Sequence, residues 1–222
     1  MKQHLLYLPV LLFCLVGCAG SPQPRLPELT AVDDGQGKNA CAAVFPVGKW
    51  QFTHAIDFVM GDGSGTPVIG VTSLTGNDID VALITVEGLT LFEAAFHHDG
   101  STEVRRAVPP FDGPDFTKGL IADIRVIFQP PTGSMRMGQV VGAIPVCRYV
   151  RAGGFVVDVL PDVDDCWQIK SYTSALIMDR SVVGRSCKKK ESILIPDYLE
   201  LKSYGQRGYT LKMTLITADN VK

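Results

Sequence analysis

The chain has 222 residues, of which 46% are hydrophobic and 20% are charged, and its formal net charge is −2. This length suits one domain with a sizeable core, and the absence of a basic excess argues against a nucleic-acid-binding protein. The 22 glycines and 14 prolines are scattered along the chain, which is typical of a β-rich protein with many turns.

The N-terminal segment has the features of a secretion signal. Lys2 precedes an apolar run from Leu5 to Val16 that is too short to cross a bilayer but has the length of a signal-peptide core. The run ends in Leu15-Val16-Gly17-Cys18, which resembles the lipobox of bacterial lipoproteins. The resemblance implies cleavage before Cys18 and attachment of several acyl chains to that cysteine, a firmer anchor than one myristoyl group. The alternative is an ordinary secretory signal cleaved near Ala19.

These features divide the chain into a signal peptide (1–17), a lipidated N-terminus with a tether (18–40) and a folded domain (41–222). Ala19 stands where a signal for inner-membrane retention would carry Asp, so we expect a lipid-anchored protein on the periplasmic face of the outer membrane. The Pro-rich and then Asp/Gly-rich stretch up to residue 37 has no periodicity and predicts a structureless tether. Because Lys2 is the only charged residue in 1–17, 20 Lys and Arg remain against 23 Asp and Glu, a mature net charge of −3.

Four cysteines remain after removal of the signal and acylation of Cys18, in an oxidising compartment where disulfides form. They are Cys41, Cys147, Cys166 and Cys187. Three pairings are possible. No pair has the CxxC spacing of a zinc or redox site and the chain has four histidines, so we favour disulfides over a metal and expect no cofactor. Cys166–Cys187 would staple the polar segment between them, which leaves Cys41–Cys147.

Alternation of apolar and polar positions predicts a series of short strands. In the first, Trp50, Phe52, Ile56 and Phe58 share one face, with polar residues on the other. The predicted strands, separated by turns rich in Gly, Asn and Asp, are 50–58, 68–74, 79–86, 89–96, 139–151, 155–160, 198–204 and 209–217. Short connections of this kind favour sequential antiparallel pairing in a meander.

One helix interrupts the strands. Between Asp115 and Gln129, apolar residues recur at helical spacing, with Asp115 as the expected N-cap and Pro130-Pro131 as the stop. We therefore predict a mainly β (α+β) fold in which a strongly curved antiparallel half-barrel sheet wraps over a central apolar helix. A single helix that leaves the curved face partly unfilled would leave space for a ligand.

The order of these elements is similar to that of the LolA/LolB family, the periplasmic lipoprotein carrier and its outer-membrane acceptor, and especially to LolB-like lipoproteins. The resemblance covers roughly residues 48 to 218 and is carried by Leu91-Phe92-Glu93, the His98-Asp99-Gly100 turn, Pro109-Pro110, the helix, Arg148 before the turn at Gly153, and Gly208-Tyr209-Thr210-Leu211. The family's exposed hydrophobic loop residue aligns with Glu87, before Gly88, although Leu89 follows. The segment from Asp162 to Lys190 has no counterpart in the family.

The resemblance implies a non-enzymatic protein whose apolar cavity holds acyl chains. We expect the cavity to be lined by one face of the first strand, by Leu91 or its neighbour Phe92, and by the helix. The candidate residues are Phe52, Ile56, Phe58, Leu91, Phe92, Leu120, Ile124 and Phe128. The expected partners are lipid acyl chains or a lipidated protein, and the membrane through the N-terminal anchor, with no nucleic acid and a monomeric chain.

Other polar residues carry weaker signals. Ser64 lacks the G-x-S-x-G pattern of a nucleophile elbow and predicts a hairpin tip. His97-His98 falls in a turn without a third metal ligand, and the acidic turn with Asp162, Asp164 and Asp165 lacks the glycine and glutamate of an EF-hand. His54 interrupts an apolar strand face, which favours a buried core histidine over a contact with a lipid headgroup. Lys188-Lys189-Lys190 predicts a solvated loop.

Two functional hypotheses follow. The first is an outer-membrane-anchored periplasmic lipoprotein that binds acyl chains or a lipidated partner, for lipid or lipoprotein transport or localisation. The second is a structural lipoprotein that scaffolds an envelope complex through its surface. A hydrolase would need a nucleophile and a base that the sequence does not display.

Overall fold

The computed structural model describes residues 23–32, 37–142, 144–163, 166–205 and 208–221. The predicted signal peptide, the lipobox with Cys18, the first part of the tether and Asp164-Asp165 lie outside these residues, as does the side chain of Asp162. Among the described helices, none combines the length and hydrophobicity needed to cross a bilayer.

The described residues form one antiparallel sheet of 13 strands, in the order β1-β7-β8-β9-β10-β11-β12-β13-β2-β3-β4-β5-β6. The strands are β1 (Thr30–Ala31), β2 (Lys49–Met60), β3 (Gly65–Thr75), β4 (Asp78–Ile84), β5 (Thr90–Phe96), β6 (Thr102–Ala107), β7 (Ser134–Val140), β8 (Ile144–Val150), β9 (Val156–Val163), β10 (Cys166–Tyr172), β11 (Met178–Lys190), β12 (Ile193–Ser203) and β13 (Tyr209–Asn220). The helices are α1 (Gly37–Ala42) and α2 (Pro114–Phe128). The mainly β, curved antiparallel fold predicted from the alternation is confirmed.

Two meanders, β2–β6 and β7–β13, join through the long pairing of β13 with β2. In β2 the predicted alternation holds: Trp50, Phe52 and His54 are buried, while Gln51 and Thr53 between them are less buried. The register sets Met213 opposite Ile56 and Leu211 opposite Phe58, so β13 continues the apolar face of β2. This face packs against α2, and we call it the helix face of the sheet.

The helix α2 begins two residues earlier than an N-cap at Asp115 predicted. Gly113 is the N-cap and Pro114 occupies the first turn, where its missing N–H costs nothing, so the expectation of Asp115 as cap is wrong. Phe128 stacks on Phe52 with ring centroids 4.9 Å apart, and Phe116 meets the edge of Phe92 at 5.3 Å. These aromatic contacts hold both ends of the helix against the sheet.

Several strands differ from the sequence prediction. Residues 139–151 do not form one strand, because the chain reverses after Val140 and pairs β7 with β8. The strands β6, β10 and β11 were not predicted, and the last two lie in residues 162–190, where we expected no family counterpart. The Lys188-Lys189-Lys190 run belongs to β11 rather than a loop, and the Lys188 ammonium lies 2.8 Å from the Asp197 carboxylate on the neighbouring strand.

Residues 23–31 cross the sheet and are called the strap. The Leu26 N–H donates to the Leu176 carbonyl at 2.9 Å, and Thr30 pairs with Gln139 of β7. An added Cβ at Gly138 would lie 2.4 Å from the Thr30 oxygen, so glycine is required where the strap meets β7. The expectation of a structureless tether is wrong for the strap, because its backbone groups bond to the sheet.

Both favoured disulfides are present. Cys41–Cys147 joins α1 to β8 with a Cα–Cα distance of 6.4 Å, and Cys166–Cys187 joins β10 to β11 at 5.1 Å. The first closes a loop across 106 residues of chain, so it constrains the N-terminal part of the domain against the second meander.

Candidate functional site

The predicted cavity residues come together between α2 and the helix face. Phe52, Phe92, Ile124 and Phe128 are buried in the main core. The other four, Ile56, Phe58, Leu91 and Leu120, are partly buried and pack against that core. The structure therefore places all eight in one apolar layer, and their contact with a ligand remains a prediction.

The free space at the C-terminal end of α2 is small. A cavity of about 20 Å³ is lined by Val44, Pro46, Phe52, His54, Ile127, Phe128, Trp167, Ile193, Leu194, Ile195, Pro196 and Leu199. This volume holds about one water molecule. At the C-terminal end of α2, where Ile127 and Phe128 line this cavity, the free space is therefore too small for an acyl chain. Of the eight predicted residues, Phe52 and Phe128 line this cavity.

Side chains from distant parts of the chain fill the space. Val44 and Phe45, in the segment after α1, are buried in the same core as Trp167 of β10. Phe111, before α2, packs edge-on against Phe116 with ring centroids 5.1 Å apart. The helix therefore closes over a packed interior, and a ligand of acyl-chain size fits under it only if α2 moves.

A larger opening lies at the edge of the sheet. A groove of about 450 Å³ runs between β6 and the first turns of α2, lined by Thr102, Val104, Ala107, Asp112, Pro114, Thr117, Lys118 and Ile121. This volume is within the range of small-molecule sites. None of the eight predicted residues lines it. Ala107 and Ile121 also pack against the main core, so the groove borders the covered layer.

A polar cluster ties α2 to the sheet. Asp123, on the buried side of the helix, accepts hydrogen bonds from Arg180 Nε at 2.6 Å and from the Tyr209 hydroxyl at 2.5 Å. Arg180 also pairs with Asp179 beside it. We call Asp123, Arg180 and Tyr209 the helix latch. Sequence reasoning missed it, although helical spacing places Asp123 on the same face as Leu120 and Ile127.

Burial and charge oppose each other in the latch. Burial raises the pKa of the Asp123 carboxyl above its ordinary value, while Arg180 and the Tyr209 hydroxyl act in the opposite direction. Burial alone would lower the pKa of the Arg180 guanidinium. The Asp123 carboxylate has the larger opposite effect together with Asp179, so the pKa lies above its ordinary value and the guanidinium remains charged. Burial and then Asp123 raise the pKa of the Tyr209 hydroxyl, which keeps it a donor. Loss of one member would leave the others buried without a full set of partners.

His54 is a core residue, as the sequence favoured. Its ring lies near Phe52 and Phe128, with centroid distances of 6.3 and 6.2 Å, and it lines the small cavity. Burial lowers the pKa of its imidazole to about 4, so the ring is neutral at pH 7. Its imidazole brings a titratable side chain to the wall of that cavity.

The remaining polar candidates are structural. Ser64 donates to Asp62 at 2.6 Å in the predicted β2–β3 turn, and the His98 N–H donates to Asp78 at 2.7 Å. Arg148 makes a buried two-bond pair with Asp158, at 2.7 and 2.8 Å, on the opposite face from the helix. In the described ranges, no three His, Cys, Asp or Glu side chains lie together as metal ligands would.

By sequence alone, the chain matches no known family model and no curated protein. Its structure is similar to that of a LolA superfamily protein from Nitrosomonas europaea, with a TM-score of 0.55 and 10% identity, over 83% of this chain and 91% of that one. A putative outer membrane lipoprotein-sorting protein domain from Vibrio parahaemolyticus matches with a TM-score of 0.47 and 8% identity, over 82% of this chain and 89% of that one. The predicted LolA/LolB-like fold is confirmed.

Proposed function

We propose that this chain is a non-enzymatic periplasmic lipoprotein that binds acyl chains, of a lipid or of a lipidated protein, between α2 and the helix face. The observation that carries the proposal is an apolar sheet face of the LolA type covered by one helix. Apolar burial is non-directional, so this layer suits a hydrocarbon chain of variable structure. The role would be transport or localisation of lipids or lipoproteins.

The packed interior defines what binding requires. Since the cavity at the C-terminal end of α2 has a volume of about 20 Å³, an acyl chain enters there as α2 swings away from the sheet. The polar ties that such a movement must break include the helix latch, in which Asp123 is held by Arg180 and Tyr209. The groove beside β6 offers the acyl chain a route to the apolar layer, because Ile121 and Ala107 line the groove and also pack against the core.

Lipid extraction and native mass spectrometry test this proposal. The Cys18→Ser chain, secreted without its own acyl group, is purified and titrated with a fluorescent fatty acid. We expect saturable binding by the folded protein and a matching mass increase for one ligand. Folded protein that carries no lipid and binds no fatty acid, even after Arg180→Met releases the latch, contradicts acyl-chain binding.

The proposal includes anchoring of Cys18 in the outer membrane. We expect Cys18→Ser to abolish palmitate labelling and to leave uncleaved precursor or soluble periplasmic protein. Ala19→Asp should retain the mature protein at the inner membrane in a host that uses the enterobacterial sorting rule. Palmitate-labelled Cys18→Ser protein in the outer membrane, in full amount, would show that the lipobox interpretation is wrong.

A second candidate function is a structural lipoprotein that scaffolds an envelope complex. The specific observation in its favour is the filled interior, which resembles an ordinary core more than an empty site. Cross-linking in cells distinguishes the two. A stable protein partner together with a lipid-free core supports the scaffold, whereas co-purified lipid supports the carrier.

A further inference from the structure

We propose that two neighbouring hairpin turns, 151–155 and 173–177, form a surface that rests on the bilayer in which the N-terminus is anchored. We call these turns the membrane-facing end. The inference rests on the proposed acylation of Cys18, and it adds the orientation in which the anchored domain is held. Its occupant is a phospholipid surface.

The two turns form one continuous patch. Val156 pairs with Tyr172, which sets the turns side by side, and an added Cβ at Gly154 would lie 3.7 Å from the Ser174 Cβ. Phe155 on the first turn is 48% exposed, and Leu176 on the second is 44% exposed. Isolated exposed apolar residues are ordinary, but an aromatic and an aliphatic side chain on adjacent turn tips suit shallow insertion into a membrane interface.

The strap brings the start of the described chain, at Gln23, to the same place. The Met178 N–H donates to the Pro24 carbonyl at 2.8 Å, and the Leu26 N–H donates to the Leu176 carbonyl. The described chain therefore starts beside the second turn. Cys18 precedes Gln23 by five residues, so an acylated Cys18 holds Gln23 within about 18 Å of the bilayer, the limit set by a fully extended chain.

The opposite end of the sheet is held farther from the anchor. Val141 lies in the β7–β8 turn, beyond the far end of the seven-residue strand β8. A strand of that length spans about 23 Å. With the strap fixed to the sheet, the short linker favours contact of the bilayer with turns 151–155 and 173–177 rather than with Val141.

Two basic residues at the membrane-facing end also favour contact with a phospholipid surface. Arg25 on the strap and Arg151 at the start of the first turn are both exposed. The Arg151 backbone N–H donates to the Phe155 carbonyl at 2.9 Å, so the backbone that carries this cationic side chain adjoins the apolar tip. Anionic headgroups attract basic side chains near the bilayer surface.

Site-specific fluorescence on the acylated full chain tests the orientation. The described cysteines are all in disulfides, so single Phe155→Cys, Leu176→Cys and Val141→Cys variants each offer a thiol for an environment-sensitive dye. Val141 is 91% exposed and serves as the matched apolar control. Each labelled protein is reconstituted into vesicles of phosphatidylethanolamine and phosphatidylglycerol, with or without brominated lipid.

We expect dyes at 155 and 176 to shift to shorter emission wavelength and to be quenched by the brominated lipid, while the dye at 141 is unchanged. Equal behaviour at all three positions, or no quenching at 155 and 176, overturns the inference. A shift that follows protein concentration without lipid indicates a second copy and also overturns it. Mass spectrometry of the N-terminal peptide shows whether Cys18 is acylated, which tests the anchor separately. If acylated protein floats with the vesicles but the dyes at 155 and 176 are not quenched, the anchoring proposal stands and the proposed orientation is wrong.

Discussion

The helix latch gives the most quantitative prediction. Arg180→Met removes the guanidinium from Asp123, whose side chain is 5% exposed, and leaves that carboxylate with the Tyr209 hydroxyl. Breaking a buried pair by removing one partner costs about 3–5 kcal/mol. Because the Arg180 side chain is 16% exposed, we take the lower end and expect the free energy of unfolding to fall by about 3 kcal/mol.

Urea denaturation with the disulfides intact measures this change, as a lower midpoint with an unchanged slope. The matched control is Lys188→Met, which breaks the exposed pair with Asp197 and should cost less than about 1 kcal/mol. The double variant Asp123→Leu/Arg180→Met should lose less unfolding free energy than the two single variants lose together, because neither charge is left unpaired. Equal losses for Arg180→Met and Lys188→Met would refute the reasoning.

The remaining predictions concern the core around the helix. Ile124→Asp buries an unpaired charge, so it should lower the free energy of unfolding by several kcal/mol and abolish fatty-acid binding. The same change at the exposed Ile216 should alter neither property. Folded Ile124→Asp protein with normal binding would exclude α2 as a wall of the site. The pKa of His54 is about 4 in the folded chain and 6.5 for an unperturbed histidine, the value we take for the unfolded state. Between these pH values the unfolded state binds more protons than the folded state. The free energy of unfolding should therefore fall by about 3 kcal/mol as the pH drops from 6.5 to 4. In the His54→Phe variant, the urea midpoint should depend less on pH between 4 and 6.5. The same pH dependence in the variant and the parent protein would contradict this assignment to His54. Cys41→Ser with Cys147→Ser should cost about 2–5 kcal/mol by thermal and urea unfolding, and a neutral result would show that the loop constraint is unimportant.

Much of the fold could be predicted from alternation alone. The strands β2, β3 and β4 bury one face over most of their length, so their period of two is visible in the sequence. The edge strand β6 was missed because most of its residues are exposed and its charged side chains give no apolar period. The exposed second half of β11 was missed for the same reason.

The candidate site was only partly predictable. The sequence identified the residues that form the apolar layer, because strand and helix periodicity assign each a face. It could not show that Val44 and Phe45 fill the space beneath α2, since that depends on where a segment far along the chain packs. The latch was invisible for a similar reason, because Asp123 and Arg180 are 57 residues apart and meet only in the folded sheet.

The strap shows how composition can mislead. Residues 23–31 have the Pro-rich, non-periodic character of a linker, yet Leu26 packs against a small apolar cluster and the backbone pairs at two places. Such pairing is set by the open positions of the sheet rather than by the strap's own pattern. The same placement fixes where an N-terminal anchor would join the domain.

Photo-cross-linking with a diazirine fatty acid tests most directly whether acyl chains bind between α2 and the helix face. The Cys18→Ser chain is loaded with the probe, irradiated and digested, and the modified residues are identified by mass spectrometry. Binding beneath the helix predicts adducts on Phe52, Ile56 and Ile124, with more adduct in Arg180→Met because the latch is released. Adducts confined to the β6 groove, at Val104 and Thr117, or no adducts on folded protein of either kind, would contradict binding beneath the helix.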